Sequence, residues 1–223
     1  MTSTRTRPAK PPLSRASIVA AALTLVDETG YAATTMRRVA QAVDTGPASL
    51  YVYVADREEL MAEVYDLALA DVTLPDEGDG DWRARIKLLA GRVIATLGSH
   101  DDLALVAITR VRTGRHALRI MEETLRLLRA GGISDAVCPW AADLIDQHIT
   151  SSALERAARA RAGGTREAVG AELDAVFEAL PAGAYPTIHA LRPSMTTTGD
   201  LAAQATWKLR VLIDGLLVAP GGA

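Results

Sequence analysis

The chain has a single cysteine (Cys138), a single phenylalanine and only 4% aromatic residues among its 223. One cysteine excludes a disulfide framework and a cysteine-rich zinc site, and it fits a reducing compartment. No run of eighteen uncharged apolar residues occurs, which excludes a membrane-spanning helix. The apolar stretch 18–26 that follows Arg5, Arg7 and Lys10 is short and runs into Asp27 and Glu28. No secretory signal is therefore expected, and the expected location is the cytoplasm. H-E-x-x-H, P-loop and G-x-S-x-G patterns are all missing, and Gly163-Gly164-Thr165 lacks a strand-loop-helix setting for phosphate. The acids of 75–81 fail the EF-hand spacing and read as a solvated turn ending in Asp81 as a helix cap. The four histidines (His100, His116, His148, His189) are scattered. Neither enzymatic activity nor a metal or cofactor is expected.

What the chain does have is helix-forming material. Apolar residues make up 49%, and about 40 positions are alanine, with leucine, arginine and glutamate beside them. These are the strong helix formers, so the expected class is all-α. The net charge of −3 hides an asymmetry. Residues 1–57 carry seven Arg/Lys against four Asp/Glu, a net of +3, which leaves −6 for the remainder. A basic head on an acidic body points to a nucleic-acid-facing end.

Residues 1–12 are polar, with three prolines, and read as a disordered basic arm. From Ser14, the residues Ile18, Ala22, Leu25 and Val26 recur at helical spacing until Gly30. Thr34-Thr35 caps a short helix to Val43, and Asp44-Thr45-Gly46 breaks it. Pro47 opens a second short helix, where its missing N–H costs nothing. Asp56 starts a third, with Glu59 completing a capping-box-like pair, and this helix runs to about Val72. Beyond the linker, helices are expected over 82–97, 103–111, 115–130, 134–161, 166–180 and 200–218. A mobile loop is expected over 185–198.

Residues 34–60 carry the functional signal. Two short helices across a three-residue turn form a helix-turn-helix, in which the first braces on phosphates and the second enters the major groove. Thr35, Arg37 and Arg38 stand on the bracing helix. Pro47, Ala48, Ser49, Tyr51, Val52 and Tyr53 stand on the second, and Arg57 follows. Small residues let the backbone approach, hydroxyls bond phosphate oxygens, and arginine reaches guanine or phosphate. Leu50 and Val54, four apart, face inward.

These residues resemble the TetR family of transcriptional regulators, whose signature has the form T-x-R-x-x-A-x-x-x-G-V-S-x-G-x-L-Y-x-H-F-x-x-K-x-x-L. Thr35, Arg37, Ala40, Leu50, Tyr51, Arg57 and Leu60 stand at matching places. The resemblance spans 14–69, and 206–218 is similar to the end of tetracycline-repressor-like members. There are departures: Asp44 replaces the turn glycine, which aspartate tolerates because it enters the left-handed region readily. Thr45, Gly46, Ala48, Tyr53 and Val54 also differ, which leaves the operator sequence unspecified.

The resemblance implies an amino-terminal DNA-binding domain (13–58), a helical effector-binding and dimerisation domain (59–223), a homodimer and a palindromic operator. It also implies a repressor that a small molecule releases. The stripe Leu201, Ala205, Leu209, Leu212, Ile213 and Leu216 supports a dimer face independently. Candidate pocket residues are Leu89, Val93, Ile108, Thr124, Leu128, Trp140, Asp143 and Gln147, the last three spaced along one face. The histidine that holds metal in tetracycline-type members has no counterpart in 103–111. The rival reading is a helical adaptor or small-molecule-binding protein that never meets DNA.

Overall fold

A computed structural model describes residues 12–109, 111–163, 166–196 and 201–218. Most of the basic arm expected over 1–12 lies outside them. The described residues form eleven α-helices and no strand.

Ser14 and Ser17 exchange hydrogen bonds in a capping box that opens α1 (Arg15–Thr29), and Gly30 closes it at φ 88°. Thr35 caps α2 (Met36–Ala42) through its side chain. The turn then needs a left-handed residue, which Asp44 supplies at φ 55°. Pro47 starts α3 (Pro47–Leu50), whose turn continues through N–H donation from Tyr53 and Val54 to Leu50 O. Asp56 caps α4 (Arg57–Ala68) by accepting from Glu59 N at 2.7 Å. The Glu59 carboxylate accepts from Ala55 N rather than Asp56 N, one residue earlier than a capping box requires.

Asp81 caps α5 (Trp82–Leu97) as expected from the linker. A 3₁₀ stretch (Asp101–Leu105) leads into α6 (Val106–Thr109), followed by α7 (Arg115–Ala130) and α8 (Cys138–Ala162). Last come α9 (Arg166–Glu178), α10 (Pro186–Thr196) and α11 (Leu201–Val218).

Four expected boundaries move. The α4 helix ends at Ala68 instead of Val72: past it the chain tightens into turns, with Ala70 N donating to Leu67 O and Val72 N to Leu69 O, and the Arg119 guanidinium donates to the carbonyls of Leu69, Ala70 and Val72. The α8 helix starts at Cys138 instead of Ser134, with Pro139 in the first turn, where proline is tolerated. The 103–111 helix opens as 3₁₀ around the left-handed Asp101 (φ 36°) and a kink at Asp102. The mobile loop over 185–198 is a helix through Thr196: Pro186 sits in its first turn, and Arg192 forks onto Asp174 of α9 at 2.7 Å for each nitrogen.

The core runs as one apolar cluster from Ile18 to Ile213. In the head, α4 packs on α1 and α1 on α2, burying Ile18, Val26, Val39, Leu50, Leu60 and Val64. In the body, α5, α7 and α8 pack on one another, and α11 touches α5 and α8. On its other side α4 meets α7 and α6, so one helix serves both regions. No helix among the described residues is long and apolar enough to cross a membrane.

Candidate DNA-facing surface and effector cavity

The sequence places α3 on a turn, and packing decides which way it faces. Leu50 and Val54 are buried, as their four-residue spacing requires. That leaves Pro47, Ala48, Tyr51 and Val52 outward, with Tyr51 54% and Val52 81% exposed. Neither side chain is enclosed by the fold, so this end of α3 is an open apolar surface. Thr35 and Arg37 are exposed beside it, and Ser49 is half-buried. Arg38 is half-buried and donates to Ala33 O at 3.2 Å.

Two candidates are turned to internal work. Arg57 donates to Thr34 O (2.8 Å) and Tyr31 O (2.6 Å) and stacks on the Tyr31 ring at 4.6 Å. It braces the α1–α2 corner rather than reaching outward. The Tyr53 hydroxyl donates to Leu13 O at 2.9 Å, tying α3 to the start of the head. None of these three bonds is legible in sequence, since the partners lie 23 to 40 residues away.

A second clamp went unread. Arg15 at the start of α1 pairs with Glu59 (2.5 Å) and with Glu63 of α4. Its hydrogen bonds to Glu63 and then Glu59 raise the Arg15 pKa. The backbone N–H of Ala55 and then Arg15 hold the Glu59 carboxyl below its ordinary value.

The body holds a partly open cavity of about 240 Å³ between α4, α5, α7 and α8. Its apolar wall includes Leu69, Val93, Ile120, Leu125, Ile145 and Ile149. Its polar groups are Tyr65, Arg112, Thr124, Asp143 and Asp146. Of the expected pocket residues, Val93, Thr124 and Asp143 lie on this wall.

The others do not. Leu89 and Leu128 are buried in the core behind it. Trp140 is 62% exposed, because Cys138, Ala141, Ile145 and Ile149 form the inward stripe of α8 and put position 140 on the outer side. Ile108 is 67% exposed. The 3₁₀ turn before it advances the chain about 20° more per residue than an α-helix, which rotates position 108 away from the body. Gln147 stands off the wall and donates to Asp143 at 2.6 Å.

Arg112 and Tyr65 were not anticipated. Arg112, from the loop before α7, pairs with Asp146 of α8. Burial lowers the Arg112 pKa, but the Asp146 hydrogen bond and charge more than offset it, leaving it raised. Burial pushes the Tyr65 phenol up, against the pull of Arg112. Next to Tyr65, Asp66 accepts from His116 N (3.0 Å) and Ala117 N (2.9 Å), capping α7 from α4. A Cβ on Gly114 would run into that carboxylate, so the close approach needs glycine. The α4 helix therefore touches the cavity wall and the start of α7 with adjacent residues.

The head also meets the body at a polar seam. Asp101 accepts from Tyr31 N at 2.9 Å and pairs with Arg161 of α8 at 2.6 Å, while His100 Nδ1 lies 2.6 Å from Asp27 of α1. Burial would raise the Asp101 carboxyl, but the N–H groups of Tyr31 and Asp102 and the Arg161 guanidinium hold it below its ordinary value.

An exposed helix-turn-helix joined through one helix to a cavity-bearing helical body defines a ligand-responsive, DNA-binding transcriptional regulator. Residues 18–64 match the family model described as bacterial regulatory proteins, tetR family, and residues 74–219 match the tetracyclin repressor-like C-terminal domain. The chain belongs to the TetR family of transcriptional regulators. It is 33% identical over 219 residues to the HTH-type transcriptional repressor DrrR1 of Streptomyces coeruleorubidus, covering 94% of this chain and 79% of that one. The structure of ActR from Streptomyces coelicolor in complex with actinorhodin is similar at a TM-score of 0.83 and 34% identity, over 95% of this chain and 100% of the other. The class G tetracycline repressor of Vibrio anguillarum is 26% identical over 149 residues, 66% of this chain and 70% of that one.

Proposed function

We propose that the chain is a cytoplasmic repressor without catalytic activity that binds a palindromic operator as a homodimer and is released by a small-molecule effector. The observation that carries this reading is α3, whose Tyr51 and Val52 stand bare on a turn braced by buried Leu50 and Val54. In it, residues 13–58 form the reading head. Pro47, Ala48, Ser49, Tyr51 and Val52 enter the major groove, while Thr35, Arg37 and Arg38 hold flanking phosphates. Arg57 and Tyr53 keep α3 at its angle.

Residues 59–223 form the effector and dimer body. The stripe expected as the dimer face turns inward instead, with Leu209 and Ile213 in the core of their own chain and Leu212 and Leu216 packed on it. Two copies pair through the outer faces of α8 and α11, where Leu144, Trp207, Val211 and Leu217 are exposed. This pairing sets the heads about 34–36 Å apart, one helical turn of DNA. The effector enters the apolar cavity, as actinorhodin is bound by ActR. It acts by binding more tightly to the state whose heads miss the half-site spacing.

Gel-shift selection of genomic fragments tests the reading. Recovery of inverted repeats, bound by a species of dimeric mass with strong salt dependence, is expected. Absence of any fragment bound above random DNA would sink it in favour of a helical adaptor.

A further inference from the structure

The body cavity does not stand alone. A second cavity of about 640 Å³ lies between the head and the loop before α7, walled by Arg15, Val19 and Ala62 among others. Tyr65, Arg112 and Ala117 line both, so these three form the partition between them. Across the two walls stand three guanidinium groups (Arg15, Arg112, Arg115) and five carboxylates (Glu59, Glu63, Asp66, Asp143, Asp146). The His116 ring accepts from Arg115 Nε at 2.9 Å. Among the described residues, carboxylates thus outnumber guanidinium groups by two.

The body cavity shows the same imbalance by itself. Among the described residues its one cation, Arg112, is paired with Asp146, and Asp143 accepts from the neutral amide of Gln147. An anionic molecule would enter against that field and compete with Asp146 for Arg112. A cationic one gains from it, because charges near a protein surface interact several times more strongly than in water.

We infer that the effector is a largely apolar molecule carrying a basic amine, with its apolar body against Leu69, Val93, Ile120 and Ile149 and its ammonium group at Asp143 and Asp146, where it displaces Arg112. This deepens the proposed function and rests on its reading of the cavity as the effector site. The displacement also carries the signal. Arg112 links α8, through Asp146, to Tyr65 of α4, the helix that packs on α1 of the head. An ammonium that takes Asp146 breaks that link at the partition, next to the Asp66 cap that ties α4 to α7.

The test uses the full chain without DNA and two probes of one tricyclic shape: 9-aminoacridine, a cation at neutral pH, and anthracene-9-carboxylate. Fluorescence titration should show the amine binding about tenfold more tightly than the acid, a difference of about 1.4 kcal/mol. Arg112→Gln should tighten the amine several-fold, since it removes the competing cation. Asp146→Asn and Asp143→Asn should each weaken it. Asp143 is exposed, so its variant stays informative if the loss of Asp146 disturbs folding. Equal binding of the two probes, tighter binding of the acid, binding of neither, or weaker amine binding in Arg112→Gln overturns the inference. Operator binding is not read in this experiment, so its failure leaves the DNA-binding reading standing, and an absence of operator would leave the probe result intact.

Discussion

In the head, α1, α2 and α4 bury Ile18, Val26, Val39, Leu60 and Val64 completely, and two arginines, Arg15 and Arg57, lock the corners. In the α9–α10 hairpin, no described side chain is buried, although Val169, Leu173, Val176, Leu191 and Met195 are as apolar as the residues of the head. The hairpin helices pack on each other and are pinned by the Arg192–Asp174 fork. The difference is one of closure. Apart from Tyr51 and Val52 on α3, the head satisfies its apolar faces within one chain, whereas the hairpin and the outer faces of α8 and α11 leave theirs exposed.

The largest effect that sharpens this contrast is in the core. Leu60→Ala should cost about 2–5 kcal/mol in denaturant unfolding, because a fully buried side chain leaves a cavity. Leu173→Ala on the hairpin should cost less than about 1 kcal/mol when the same chain is unfolded, and Val211→Ala on α11 should lower the dimer fraction in sedimentation. A hairpin substitution as costly as the core one, or no change in mass for the α11 variant, would erase the distinction.

Within the head, the two kinds of arginine should separate. Arg57→Ala removes two bonds to carbonyls and a ring stack, so it should cost about 2 kcal/mol of stability. Arg37→Ala should leave the melting curve within about 0.5 kcal/mol of wild type, while lowering operator affinity and reducing the slope against log salt by about 1. A melting shift for Arg37, or none for Arg57, reverses their assignment.

The smallest effect is at the seam. The Asp101 carboxyl is held below its unfolded value of about 3.9, so its stabilising contribution is present above that pH and is lost as pH falls through the depressed value. Asp101→Asn should therefore lower stability by about 1 kcal/mol at neutral pH and flatten the acid limb of the pH–stability curve. An unchanged acid limb would remove Asp101 from the account of how head and body are joined.

Much of the head was legible because its signals are local. The Thr35 cap, the left-handed Asp44, Pro47 in the first turn, and the Leu50–Val54 pair each act within four residues of themselves, and the structure keeps them all. The body was legible only as helices. Val93, Thr124 and Asp143 reach the cavity, but Trp140 and Ile108 turn out of it. Periodicity gives the width of an apolar face without its absolute direction, and a 3₁₀ turn or a late helix start rotates that face.

By itself, then, the order of residues determined most of the helices, several of their caps, the helix-turn-helix and the family resemblance, since these depend on neighbours along the chain; α10, expected as a loop, was not among them. Tertiary structure alone decided that Arg57 and Tyr53 brace instead of reaching outward, that Arg112 meets Asp146 across 34 residues, and that α4 carries both the cavity wall and the head. Those pairings join groups whose separation along the chain gives no hint of their approach. Only the folded packing of α4, α7 and α8 brings them within bonding distance.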